Sequence, residues 1–279
     1  MNQIHWFPGH MKKALNNIIE KVKLVDVIIE ILDARAPISS INPDLEKAIN
    51  NKKRLVVLSK ADLADPNQTK LLAEKLKESF DSLVVLNLND PKSTKILTEE
   101  VSKLGEEKHA KEKAKGMKPQ PIKTMIIGVP NVGKSSLINR FASRKAAGVQ
   151  NKPGYTRGEQ FIKVNNDFIL LDTPGVLPMN YEDKKSATRL ALLGSIREEI
   201  LPTDVLVKSL LNILKDFYPN ALLERYGVET ITSDQEVLTQ IAVRRGLLNA
   251  GEYDLTRAEI TLLKDFKDGK LGRITLDHI

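Results

Sequence analysis

The stretch Gly128-Val129-Pro130-Asn131-Val132-Gly133-Lys134-Ser135 decides the fold. Its glycines let successive backbone N–H groups turn inward at the start of a helix, where the helix dipole also favours an anion. A β-run, Thr124–Ile127, precedes it, and helical spacing over residues 134–143 follows. That is the strand–loop–helix setting a phosphate-binding loop requires. In this reading Lys134 reaches the β- and γ-phosphates of a nucleotide and the Ser135 hydroxyl ligates Mg2+. Asn131, Val132, Gly133 and Ser136 complete the set that faces the phosphates.

Downstream, Phe168-Ile169-Leu170-Leu171-Asp172-Thr173-Pro174-Gly175 reads as a buried strand ending in a carboxylate suited to direct or second-shell contact with Mg2+. Gly175 can turn its N–H toward a γ-phosphate because no Cβ stands in the way. Between the two motifs lies Asn151-Lys152-Pro153-Gly154-Tyr155-Thr156-Arg157, a loop whose Thr156 hydroxyl is placed to close onto Mg2+. Thr156 is alternatively an ordinary turn residue.

The residues that would read the base come earlier. Ser59-Lys60-Ala61-Asp62 ends a hydrophobic run, Leu55–Leu58, roughly seventy residues before the phosphate loop. The Asp62 carboxylate can accept from both N1–H and the 2-amino group of guanine, a pair that adenine lacks. Lys60 lies along the base plane in this reading. Ser59 stands where Asn is usual, so one hydrogen bond to the base or to the phosphate loop is in question. Asn87 and Leu88, just after a third strand run at Leu83–Leu86, are placed with the nucleotide-binding residues. The expected ligands are GTP and GDP.

Working outward, Met11–Val22 has helical spacing, Val25–Leu32 reads as a buried strand, and residues 66–79 as a helix. Strands alternating with helices predict an α/β fold with a parallel sheet covered on both faces. Phe161–Val164 and Phe168–Leu171 flank Asn165-Asn166-Asp167, a hairpin composition. Lys103–Pro121 is rich in lysine and poor in apolar residues. It reads as a solvated helix end and linker, or as a nucleic-acid-binding tail. Beyond Pro178 helical periodicity takes over at 186–200, 204–216, 234–247 and 256–268. The expected organisation is a nucleotide-binding domain over residues 1–178 and a smaller all-helical domain over 179–279, in which Arg244-Arg245 and Lys270–Arg273 are solvated charges.

Composition narrows the classes. The chain has 279 residues, no cysteine and a net charge of +7. Disulfides and thiolate zinc sites are excluded, and there is no signal-peptide pattern or membrane-length apolar run. A cytoplasmic monomer without stable membrane association is expected. Residues 1–179 hold 29 Lys and Arg against 20 Asp and Glu, whereas 180–279 hold 14 against 16. The basic excess therefore belongs to the nucleotide-binding part, and a polyanionic partner is permitted there.

The order Lys60 and Asp62, phosphate loop, Thr156, then Asp172-Thr173-Pro174-Gly175 resembles the circularly permuted GTPases. Trp6-Phe7-Pro8-Gly9-His10-Met11, Asp33-Ala34-Arg35 and the helical C-terminal region are similar to those of the members that act in bacterial ribosome assembly. The resemblance spans essentially the whole chain. It implies a P-loop GTPase domain with circularly permuted motif order and a factor that binds the large ribosomal subunit precursor, through rRNA and ribosomal proteins, late in maturation. Nucleotide state would control association and release.

Many GTPases place a water-orienting glutamine after the Asp-x-x-Gly element; here Val176 and Leu177 follow Gly175. His10 is the candidate that the resemblance supplies for that task, the alternative being a cap or packed ring. Asn131 is a candidate ligand for K+ on the same ground, the alternative being a tolerated loop residue. Two other readings remain open here: a nucleotide-gated RNA-binding scaffold with negligible turnover, and an ATP-using kinase, which Asp62 disfavours.

Overall fold

The computed structural model describes residues 9–49, 51–143, 161–164, 168–171, 173–178, 183–196, 200–229 and 233–279. Its centre is a six-stranded sheet: β1 (Val27–Asp33), β2 (Lys53–Ser59), β3 (Ser82–Val85), β4 (Ile122–Ile127), β5 (Phe161–Lys163) and β6 (Phe168–Leu171), in the order β3-β2-β1-β4-β6-β5. All neighbours run parallel except β5, which pairs antiparallel with β6 along Phe161↔Leu171. The expected hairpin is present, though its turn, residues 165–167, lies outside the described residues.

β1 is buried at every position. Its alternation separates two cores, as the period of a strand dictates. Val27, Ile29 and Ile31 face α4 (Ser93–Ala114) and α5 (Lys134–Ser143), whereas Ile28 joins Leu15, Ile18 and Val22 of α1 (Gly9–Val22) and Leu45 and Ile49 of α2 (Pro43–Ile49). Two carboxylates interrupt the apolar run of β1, Glu30 within it and Asp33 at its end; of these, Glu30 lies under the sheet's helices without a role in the site. Burial pushes its carboxyl up to about 7, against the pull of Arg54 at 2.8 Å. Past β2, α3 (Pro66–Lys77) begins on Pro66 with Asp65 as N-cap, accepting from the backbone N–H of Asn67 and Gln68.

The C-terminal helices are α6 (Lys184–Leu192), α7 (Thr203–Phe217), α8 (Asn220–Tyr226), α9 (Asp234–Arg245) and α10 (Leu255–Lys267), with a short hairpin of β7 (Leu248–Asn249) and β8 (Glu252–Tyr253) before the last. Their buried faces continue the cluster that begins on β1, α4 and α5. Asp265 gathers α8, α9 and α10 by accepting from Arg225, Tyr226 and Arg245, each within 2.9 Å. No helix among the described residues is long and apolar enough to cross a membrane.

Several expectations need correction. The lysine-rich segment read as a solvated helix end and linker divides at Ala114: it is the end of α4 up to there and turn or irregular chain over 115–121, with α4 anchored on the sheet by Leu97, Val101 and Gly105. α2 and α8 carried too little periodicity to be foreseen; Pro219 separates α7 from α8 and is the N-cap of the latter. The helix expected over 186–200 stops at Leu192, where Gly194 takes a left-handed turn at φ 73°. Arg245 and Lys270 are held by Asp265, and Arg273 bonds two carbonyls, so these are structural rather than free charges.

The packing of α4 rests on one close approach. A Cβ on Gly105 would lie 2.0 Å from Cδ1 of Ile122, the first residue of β4. Gly105→Val should therefore destabilise the fold by about 1–3 kcal/mol through overpacking, seen as a lower urea midpoint with an unchanged m-value. An unshifted midpoint would show that α4 tolerates displacement.

Candidate functional site

The parallel strands end together, and the two halves of the sequence motif meet there. Ser59, the last residue of β2, points its hydroxyl at the carbonyl of Leu32 (3.0 Å) and at that of Val132 in the phosphate loop (2.7 Å). One proton cannot serve both fully, so the shorter contact to Val132 dominates. The phosphate-loop bond that was in question with serine in place of asparagine is therefore retained. A second seam joins the same halves: Leu88, buried after β3, would stand 3.0 Å from a Cβ on Gly133.

The loop itself is tightly drawn. A Cβ on Gly128 would come within 2.5 Å of the Ile31 carbonyl of β1, so the chain can cross there only as glycine. Lys134 is buried, and its ammonium donates to the Val129 carbonyl at 2.8 Å. Ser135 and Ser136 are exposed at the start of α5. Gly175 lies against this loop: a Cβ there would be 2.8 Å from Lys134 Nζ and 2.9 Å from Pro130 Cα. Val176 bonds back through its N–H to the Gly128 carbonyl at 3.4 Å, and Thr173 donates its hydroxyl to the Ile126 carbonyl. Val176 and Leu177 are both buried, so the residues after Gly175 serve packing.

Base-side geometry centres on Asp33, the end of β1. Its carboxylate accepts from Lys60 Nζ at 2.8 Å and from Arg35 at 2.9 and 3.0 Å. Burial alone would raise this carboxyl; Arg35 and Lys60 beside it outweigh burial and hold it at about 2. Asp62 is exposed, and Asn87 holds its own turn by accepting from the Asn89 N–H at 2.8 Å. Lys60 (φ 55°) and Asn131 (φ 61°) adopt left-handed backbone, a strain that surrounding contacts must sustain. The Asn131 side-chain amide donates to the Gly194 carbonyl at 2.6 Å, which ties the phosphate loop to the turn after α6.

Sequence reasoning missed the brace behind the loop expected to read the base. After α10 the chain returns to it: Arg273 donates to the carbonyls of Ala61 (2.7 Å) and Ala64 (2.8 Å), and Ile274 N–H to that of Leu63 (3.1 Å). Leu276 N–H reaches the Arg35 carbonyl, and Asp277 takes the Ser39 hydroxyl at 2.7 Å and Arg189 of α6 at 2.9 Å. No local pattern in Lys270–Arg273 announces these partners, because every one lies far away in sequence.

His10 falls in the first turn of α1, but its side chain lies outside the described residues, as do Thr156 and Asp172 entirely. Among the described residues, no three His, Asp or Glu side chains converge as a metal site. The fit to a nucleotide rests on the cradle itself: a loop with positive φ at Gly128, Asn131 and Gly133 that runs into a helix start, a buried lysine, and Gly175 closing beside it. Of the three residues expected to hold Mg2+, Ser135, Thr156 and Asp172, Ser135 is the one among the described residues.

Two outcomes follow. Asp33→Asn leaves Arg35 buried without its counter-charge and should cost about 3–5 kcal/mol at neutral pH. Asp33 has a lowered pKa, so its contribution is full above the ordinary value of 3.8 and lost as pH falls toward 2. The stability gap between wild type and variant should shrink over that window in urea titrations, and a constant gap would contradict the assignment. Arg273→Ala should weaken guanine-nucleotide affinity several-fold in a fluorescent-GDP titration, with Arg244→Ala as the silent comparison. Equal affinities would mean that the brace does not hold the base-reading loop.

With this geometry in hand, likeness to known proteins is specific. A sequence profile for the family described as "50S ribosome-binding GTPase" matches residues 123–243, a stretch that contains the phosphate loop but not Ser59–Asp62. Ribosome biogenesis GTPase A of Priestia megaterium is 41% identical over 279 residues, covering 98% of this chain and 96% of that protein. The crystal structure of GNP-bound YlqF from T. maritima superposes with a TM-score of 0.67 at 26% identity, covering 95% of this chain and 98% of that one. The corresponding protein of Bacillus cereus is 40% identical over 276 residues, 98% of this chain and 93% of its own. The chain thus belongs to the ribosome biogenesis GTPase A family of circularly permuted GTPases, and it is a GTPase.

Proposed function

We propose that this protein binds the large ribosomal subunit precursor during late maturation and hydrolyses GTP there, with nucleotide state controlling its association and release. The observation that carries the nucleotide part is the 2.7 Å bond from Ser59 to Val132, which supports one site built from two motifs in permuted order. The ribosomal part is supported by the relatives named above.

In this reading the backbone of Asn131–Gly133 and the Lys134 ammonium receive the β- and γ-phosphates, and Ser136 adds a hydroxyl. Lys134 leaves the Val129 carbonyl to do so, a short swing for a flexible side chain. Mg2+, held by Ser135, Thr156 and Asp172, would neutralise charge on the phosphates. Asp62 reads the guanine edge, Lys60 lies along its plane, fixed by Asp33, and Asn87 and Leu88 border the pocket. Gly175 presents its N–H where charge develops on the γ-phosphate. Since Val176 and Leu177 cannot hold water, His10 takes the water-positioning role, and turnover is slow until the ribosomal particle completes the site. Asn131 offers its side-chain oxygen to K+, its amide being engaged by Gly194.

The wiring supports a coupled switch. Residues 179–279 form the helical unit that would contact rRNA, and α6 starts about ten residues after Gly175. Through Arg189 and Asp277 it also touches the brace on the base-reading loop. Loss of the γ-phosphate would move the chain between these two anchors. The protein would act as a cytoplasmic monomer.

Phosphate release under multiple turnover, with and without large ribosomal subunits, tests the proposal. Stimulation of at least tenfold is expected, and it should fall with His10→Ala and on exchange of K+ for Na+. Asp62→Asn should shift preference from GTP toward XTP, because a carboxamide inverts one hydrogen-bond direction. Turnover indifferent to subunits would leave the scaffold reading in its place.

A further inference from the structure

The end of the sheet opposite the nucleotide site carries a groove with a charge pattern of its own. A cavity of about 830 Å³ opens where β1, β2, β4 and β6 begin and the antiparallel β5 ends. Five lysines line it, Lys23, Lys52, Lys108, Lys123 and Lys163, against two carboxylates, Asp26 and Glu112. A second hollow of about 500 Å³ shares Lys52 and Lys108 with it and adds Lys53, Lys111 and Lys115 together with Glu107, which pairs with Lys111 at 2.6 Å, while Lys53 pairs with Asp81 at 3.1 Å. These cations come from five separate parts of the chain, and the fold alone assembles them.

Both carboxylates in the first cavity are already engaged. Asp26 accepts the Lys123 backbone N–H at 2.8 Å and faces Lys108 at 3.6 Å, while Glu112 accepts the Gln120 N–H at 2.9 Å and pairs with Lys108 at 3.1 Å. Lys52 donates to the Val25 carbonyl at 2.7 Å. Lys23, Lys123 and Lys163 are exposed at the rim, and among the described residues no carboxylate lies within ion-pair distance of them. The result is a concave strip with unneutralised positive charge on its edges and its acids tied down.

We propose that this groove binds the phosphodiester backbone of RNA, which rests on the ribosomal reading above and locates a contact surface for it. Lysines are compact, strongly hydrated charges that suit phosphates without reading bases. A concave groove with charge on its rim admits a protruding backbone ridge, whereas a flat lipid surface would meet only its edges. The position has a consequence: RNA held at this end leaves the strand carboxyl ends, with the nucleotide, free to face a second element of the same particle.

The test uses the full-length protein and a labelled RNA duplex of about twenty base pairs, titrated over a salt series. Charge reversal of Lys23, Lys123 and Lys163 together should lower RNA affinity at least tenfold. It should also flatten the dependence of log K on log salt by about two to three, near one per lost phosphate contact. The same three changed to Gln should act in the same direction more weakly and decide the matter if the reversal variant fails to fold. Guanine-nucleotide affinity, set at the other end, should hold in both and serves as the measure of integrity. Reversing Lys70, Lys75 and Lys77 on α3 makes an equal change in net charge. If that comparison weakens RNA as much, or if the groove variants bind RNA like wild type, the groove is not the site. Loss of anionic-vesicle binding with RNA binding intact would equally overturn it. Subunit-stimulated turnover reports on the ribosomal reading separately, since wild-type protein can fail there while the duplex titration still succeeds.

Discussion

Asp33 sits at the carboxyl end of the central strand and holds two cations at once, Arg35 in a fork and Lys60 at 2.8 Å. A buried carboxylate is tolerable only because both partners are there. The same constraint shapes the base-reading loop. Lys60 must adopt a left-handed backbone, and its side chain is fixed before any nucleotide arrives. Arg35 in turn stacks over Phe266 of α10 at 5.7 Å, so one carboxylate links the nucleotide pocket to the last helix of the chain.

The permuted order is easier to understand from these contacts. Parallel strands are matched by register, and the sheet does not depend on which loop joins them. β1 lies between β2, which ends in the base-reading motif, and β4, which leads into the phosphate loop. Ser59 and Leu88 then seal the two loops against each other. What the permutation changes is the neighbourhood. The chain leaving Gly175 runs into α6, and the tail after α10 returns to clasp Ala61, Leu63 and Ala64. The helical region thereby touches the site twice, once through Asn131 and Gly194 and once through the tail.

Legibility from sequence followed the range of the forces. The strand runs of β1, β2, β4 and β6 were plain, because a strand buried on both faces is apolar at nearly every position. The phosphate loop and Ser59–Asp62 were plain because their chemistry is carried by adjacent residues. The end of α4 read as solvated from Lys103 onward: four lysines (Lys103, Lys108, Lys111, Lys113) stand there against one buried residue, Gly105, and nothing local shows that Gly105 meets Ile122. Arg273 looked like a surface charge for a similar reason. Its partners, Ala61 and Ala64, are backbone carbonyls, which leave no signature in a sequence. His10, Thr156 and Asp172 were named from pattern and likeness; the side chain of the first and the whole of the other two lie outside the described residues.

The amino-acid sequence by itself determined the sheet-and-helix alternation and the strand–loop–helix setting of the phosphate loop, and it named the residues proposed to choose guanine, since propensity, periodicity and motif chemistry act within a few residues. Only the tertiary structure decided that Ser59 reaches Val132, that Asp33 holds Lys60, that the tail braces the base-reading loop, and that scattered lysines gather into one groove. Each of these joins groups far apart in the chain, and their strength depends on burial and distance, which exist only once the sheet has brought its strand ends together.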